Sequence, residues 1–209
     1  MPEQTTGTRD EATAAATTTR LADGQIWDPS TRPSGPPAPE GHAYTARGRA
    51  IGRHLAQVHD HLRGELDQIR DLLGQVKRGA LSIGRARAAI NEMTMRQNNW
   101  TLGAYCASYC AMVTAHHGME DSAVFPYLRS QDPKLAPVID RLEAEHVIIH
   151  DVLQEIDRAL VNLVTNSGDF TEIEEAVDTL ADTLGSHLAY EEGEITEPLS
   201  RFGFYAGQL

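Results

Sequence analysis

A chain of 209 residues is long enough for one domain with a tail, or for two very small domains. Its 18 basic and 30 acidic residues leave a formal charge of −12, which argues against nucleic acid or an anionic membrane as the main partner. Apolar residues make up 41% and aromatic residues 6%, a balance that suits helix better than sheet, and no apolar run approaches the ~18–20 residues of a membrane span.

Residues 1–41 hold six of the ten prolines, including Pro33-Ser-Gly-Pro-Pro-Ala-Pro39. Such a stretch buries too little apolar surface to offset its ordering entropy, so a disordered or loosely packed tail is expected, with Ile26 and Trp27 as a small docking point. It opens without the basic start and apolar stretch of a secretory signal, so the expected compartment is the cytoplasm. From about residue 43 the texture changes. Leu55, Val58, Leu62, Leu66, Ile69, Leu73 and Val76 recur at spacings of three and four, which predicts a long helix ending near Gly79. Residues 82–93 read as a short extra helix. A second long helix is predicted from about Gln97 to Leu128, kinked or ended by Pro126. Asp132-Pro133 makes a turn. The third helix starts near Lys134, carries Leu142, Ile149, Leu153, Ile156, Leu160 and Leu163, and stops at Asn166–Asp169. Thr171 and Glu174 resemble a capping box opening the fourth, which carries Ile173, Val177, Leu180, Leu184 and Leu188 and is limited by Pro198. The expected fold is all-α: an antiparallel up-down-up-down four-helix bundle over residues 42–205 behind a disordered N-terminal tail.

Cys106 and Cys110 are four apart on the second helix, with Cβ atoms roughly 5–6 Å apart against about 3.8 Å in a disulfide. Two packed thiols are expected. The informative count is nine histidines. At about 100° per residue, His59 falls within the stripe of Leu55, Leu62 and Leu66, while His54 and His61 turn away. His116 and Glu120 share one side of helix two, His146 and His150 of helix three, and His187 and Glu191 of helix four. At ~1.5 Å per residue, His59, His116, His146 and His187 lie ~20–23 Å from one end of an antiparallel bundle, in a single layer. Imidazoles and carboxylates crowded there would be costly to bury unpaired, and bound cations remove that cost. Seven groups are too many for one tetrahedral ion and fit two ions bridged by two carboxylates. Nitrogen and oxygen ligation without thiolate suits iron or manganese better than a structural zinc. The candidate ligands are His59, His116, Glu120, His146, His150, His187 and Glu191. Glu192, rotated a further ~100°, stays open as the alternative to Glu191, and Asp121 ranks below Glu120. His117 is read as lying behind the ligands or on the surface.

These residues resemble the hemerythrin-like, or HHE cation-binding, domain family. The matching pieces are His59; His116-His-Gly-Met-Glu120; His146-Val-Ile-Ile-His150; and His187-Leu-Ala-Tyr-Glu191, set in HHGMEDSAVFPYL and HLAYEEGEITEPL. The resemblance covers roughly residues 42–205. It implies a non-haem diiron centre with five histidine and two carboxylate ligands, and reversible O2 binding in some members. Other members are associated with oxygen or redox sensing, iron handling, or peroxide and nitric oxide defence. Helix four departs from the oxygen carriers, because Glu192 stands at the His-x4 position where they carry Asp.

The expected cofactor is therefore a pair of iron ions, with manganese or zinc as other occupants. The expected partners are small molecules such as O2, peroxide or NO, with neither nucleic acid nor membrane, in a monomer or homodimer. The expected role is binding of such a ligand in oxygen or redox sensing or a stress response. Met112, Met119, Tyr109 and Tyr190 would line its pocket or pack as core. A diiron enzyme consuming peroxide or NO is the alternative. Iron storage or delivery ranks below both, since only one Glu-x-x-His motif, Glu143–His146, is present.

Overall fold

The computed structural model describes residues 26–83, 89–165 and 169–204, without the side chains of 80–101. Its long helices are α1 (Ala46–Ile83), α2 (Ala89–Met119), α4 (Ala136–Thr165) and α5 (Thr171–Phe202), and a short α3 (Phe125–Gln131) follows α2. No strand occurs among the described residues. Among those residues, no helix is long and apolar enough to cross a membrane.

α1 and α5 run in opposite directions, and cross-links at both of their ends show it. Tyr44, just before α1, donates to Glu197 near the end of α5, and Lys77 near the end of α1 pairs with Glu174 at the start of α5. Tyr109 of α2 donates to the Leu62 carbonyl of α1. Arg129 of α3 pairs with Asp140 of α4, and Asn162 of α4 donates to Glu172 of α5. The apolar stripes meet in two clusters. One gathers Leu62, Leu66, Ile69, Tyr109, Val113, Ile149, Leu184 and Leu188 with their neighbours. The other gathers Leu55, Val124, Phe125, Leu128, Leu142, Ile195 and Leu199. Each such aliphatic side chain contributes roughly 1.5–3 kcal/mol on full burial.

Several boundaries differ from the sequence expectation. α1 continues past Gly79 to Ile83 and α2 begins at Ala89, so the flanks of the expected extra helix over 82–93 belong to the long helices, and 84–88 lie outside the described residues. Likewise, α4 ends at Thr165 before a stop that falls partly on the undescribed 166–168. The capping box at Thr171 does not form: Asp169 accepts from the Thr171 N–H, and Glu174 is engaged by Lys77. Nor does Pro198 end α5, which runs one more turn until Gly203, at φ +71°, closes it.

Pro126 does not break its helix, because a π turn at Glu120–Val124 precedes it. The Phe125 N–H reaches back five residues to the Glu120 carbonyl. The wider turn makes room for a ring that would otherwise strike the carbonyl four residues before it.

The tail expected over 1–41 is described from residue 26. From there it lies along α4 and α5 as a strap, with Trp27 7% exposed and a 3-10 turn at Pro29–Thr31 capped by Asp28. The strap feeds α1 at Thr45, whose hydroxyl accepts the Gly48 N–H.

Gly48 and Gly52 line the α1–α5 seam and let the two backbones approach closely. A Cβ on Gly48 would strike the Ser200 carbonyl, and one on Gly52 would meet the Ser200 hydroxyl and, at 2.7 Å, the Thr196 carbonyl. Alanine gains up to about 1 kcal/mol in helix propensity over glycine, yet overpacking costs about 1–3 kcal/mol. Gly52→Ala is therefore expected to lower stability in urea unfolding by about 1–2 kcal/mol. The same change at Gly64, which meets nothing within 4 Å, is expected to raise it.

Candidate metal centre

A polar layer separates the two apolar clusters, and every long helix contributes to it. α1 brings His59, between Leu55 and Leu62. α2 brings His116 and His117, three and four residues past Val113, and the π turn opens with Glu120. α4 brings His146, and α5 brings His187 and Glu191. All seven side chains are buried.

Their ligand atoms fall into two groups. The ε nitrogens of His59 and His116 stand 3.1 Å apart. Glu191 Oε2 lies 3.4 Å from the first, and Glu120 Oε1 3.3 Å from the second. The ε nitrogens of His146 and His187 are also 3.1 Å apart, and the His117 ring stacks on His146 with centroids 3.9 Å apart. The same two carboxylates face this second group, Glu120 Oε2 at 3.8 Å from His146 Nε2 and Glu191 Oε2 at 3.7 Å from His187 Nε2. Within each set, His59–His116–Glu120–Glu191 and His117–His146–His187, the ligand atoms lie within 4.8 Å of one another.

Carboxylates behind the rings aim them. Glu192 Oε1 is 3.0 Å from His59 Nδ1, Asp121 Oδ1 is 2.7 Å from His146 Nδ1, and Glu145 Oε2 is 3.1 Å from His187 Nδ1. An ionised carboxylate only accepts, so it holds the proton on Nδ1 and leaves the Nε2 lone pair facing the cluster. Arg63 steadies Glu192 at 2.9 Å.

Burial and electrostatics agree with a cation site. Burial, reinforced by neighbouring imidazoles, holds His59 and His116 down at about 3 and His146 at about 2. His117 and His187 are lowered for the same first reason. Burial pushes Glu120 and Glu191 upward. Burial would also raise Glu145, but hydrogen bonds from His187, Arg32 and Arg141 outweigh it and bring the carboxyl to about 2. Both oxygens of Glu120, both of Glu191 and Nε2 of His117 are buried with no hydrogen-bond partner. Orphaned acceptors of that kind cost roughly 1–3 kcal/mol each, more if charged, unless something cationic meets them. Five imidazoles and two carboxylates without thiolate are the donor set of a nitrogen–oxygen metal site.

The family model for the hemerythrin HHE cation-binding domain matches residues 50–197. The chain belongs to that family. No curated protein and no solved structure matches it. As a hemerythrin HHE protein it carries a site able to hold cations, and the donors above fit that role.

Of the seven residues singled out in the sequence, the structure brings together His59, His116, Glu120, His146, His187 and Glu191, and it does not bring in His150. That ring is exposed on α4, turned about 100° from Ile149, and it lines a groove of about 490 Å³ with Cys106, Cys110 and Leu153. His117, read as peripheral, takes a place in the second group. A partial signal was its spacing of four from Val113 on the same helix. Glu192 and Asp121, weighed as weaker ligands, instead stand behind His59 and His146. Both cysteines are free. Tyr109 gives its hydroxyl to the Leu62 carbonyl and Tyr190 to that of Pro33. Met119 is exposed and Met112 packs on the core.

The sign of the pH dependence follows. Below about 6.5 an unfolded chain protonates its histidines, while the folded chain keeps five of them neutral down to much lower pH. Acid therefore favours unfolding. The raised carboxyls act oppositely, because the folded state keeps protons that the unfolded state releases above about 4.5. Asp121, raised to about 6, adds to the carboxyl side, and the five imidazoles outweigh the three carboxyls between about pH 6 and 5. Thermal melting of metal-free protein is expected to drop steadily over that interval. A melting temperature that rises on acidification would contradict the neutral-imidazole description.

Proposed function

We propose that this chain holds two iron ions in an up-down-up-down bundle spanning residues 42–205, and binds O2 or a related small ligand such as peroxide or nitric oxide, in oxygen or redox sensing or a stress response. The observation that carries this is the pair of buried carboxylates, Glu120 and Glu191, with unpartnered oxygens set between two groups of converging imidazoles. His59 and His116 would hold one ion, and His117, His146 and His187 the other, with both carboxylates shared. Manganese or zinc would find the same donors.

Bound iron would supply one-electron redox chemistry and a coordination position for the ligand. The chain's own residues do the rest. Burial keeps the imidazoles neutral, and Glu192, Asp121 and Glu145 keep three of them pointed inward. Val113, Ile149 and Leu188 on one side and Phe125, Leu142 and Ile195 on the other keep bulk water out. The His59–His116 group has one imidazole fewer, which leaves room there for a further ligand. Tyr109 and Tyr190 spend their hydroxyls on backbone carbonyls, which supports binding over turnover that needs a proton delivered.

The test is anaerobic titration with ferrous iron, read by metal analysis and by the optical spectrum after air is admitted. Two irons per chain and new near-ultraviolet absorption are expected. His117→Ala should lose most of one equivalent, while His150→Ala should keep both. The reverse pattern would reassign the fifth imidazole. Peroxide should disappear no faster with the loaded protein than with free iron. Clear turnover would make the protein an enzyme.

A further inference from the structure

The strap holds the most deeply committed cation outside the bundle helices. Arg32 is 9% exposed at its side chain and reaches through the α4–α5 surface to Glu145, itself fully buried. Its Nε donates to Oε1 and its NH2 to Oε2, both at 2.8 Å, and its NH1 donates to the Ser186 carbonyl at 3.2 Å. The guanidinium lies over Tyr190 at 4.6 Å and over Trp27 at 5.5 Å. Tyr190 in turn donates to the Pro33 carbonyl, and the Gly35 N–H donates to Glu194. The strap is thus pinned on both sides of Arg32. It also lies outside the segment 50–197 that matches the family.

We propose that Arg32 is a positioning residue of the metal centre: its planar fork fixes Glu145, and Glu145 fixes His187 with Nε2 turned to the cluster. The inference rests on the metal reading above and adds a residue from outside the bundle to it. The geometry is a relay of three members. Glu145 Oε2 accepts from both Arg32 and His187 Nδ1, while Oε1 accepts from Arg32 and, at 2.7 Å, from Arg141. Without Arg32, only Arg141 anchors the carboxylate, through the oxygen that does not face His187. Glu145 then swings toward the more exposed Arg141 and loosens its hold on the imidazole. Arg fits this post and Lys does not, because two parallel N–H donors match the two carboxylate oxygens.

The experiment uses the full-length chain with histidines labelled with nitrogen-15. In metal-free protein, long-range proton–nitrogen correlation spectra read the His187 tautomer. In parallel, chelator competition reads ferrous-iron affinity without oxygen. The wild type is expected to hold the proton on Nδ1. Arg32→Gln should give mixed tautomers and an affinity about 10–100-fold weaker, the usual effect of losing a group behind a ligand. Arg32→Lys, which keeps the charge and loses the fork, should side with Arg32→Gln, and it decides the matter if the glutamine variant does not fold. Arg70→Ala, which breaks the exposed pair with Asp178 of α5, should leave both readings at wild-type values. A wild type protonated on Nε2 overturns the relay. So does an Arg32→Gln protein that melts earlier yet keeps the wild-type tautomer and affinity, because Arg32 is then only a clamp. A wild type that takes up no iron defeats the metal reading instead, and the tautomer comparison still decides the relay.

Discussion

The structure depends on one arrangement: five imidazoles and two carboxylates meeting in a buried layer between two apolar clusters. Such groups are costly in a hydrocarbon interior without partners, and these include carboxylate oxygens with no donor in reach. A bundle built for stability alone would fill the layer with leucine. The four helices instead contribute polar atoms at a common depth, where bound cations would satisfy them together.

The rest of the molecule supports that layer. Three carboxylates stand behind three of the rings and choose which nitrogen faces inward. The π turn begins at Glu120, so the wider backbone needed ahead of Pro126 falls where a carboxylate of the cluster leaves the helix. The two histidine–acid pairs of this region, His116 with Glu120 and His117 with Asp121, run side by side. Glu120 serves the cluster directly, and Asp121 crosses to His146 of the neighbouring helix.

Much of this was legible in the sequence because helical periodicity is a strong signal. Spacings of three and four placed His59, His116, Glu120, His146, His187 and Glu191 on buried stripes, and the rise per residue put the four histidines at one depth with the carboxylates in the next turn. Periodicity was weaker at the stripe edges. His117 and His150 both sit near a boundary, and the choice between them turns on some tens of degrees and on the π turn, which no spacing rule announces. The strap was expected to dock only at Ile26 and Trp27, which do pack on the core, and the rest of it was missed for another reason. Its proline-rich composition speaks of poor burial on average, while its attachment rests on two side chains, Trp27 and Arg32, whose partners lie more than a hundred residues away. Local pattern carries no trace of such pairings. Helix ends were also misplaced where a polar residue fit for a cap was engaged elsewhere, as Glu174 is by Lys77.

The glycine seam between α1 and α5 has a consequence for how the layer is assembled. Gly48 and Gly52 let the two backbones touch, so the vertical register of these helices is keyed by main-chain contact. His59 on one and Glu191 on the other are thereby held level, 3.4 Å apart. The frame resembles a vice already set to width. Donors already held at a fixed spacing would have little conformational entropy left to lose if a cation entered.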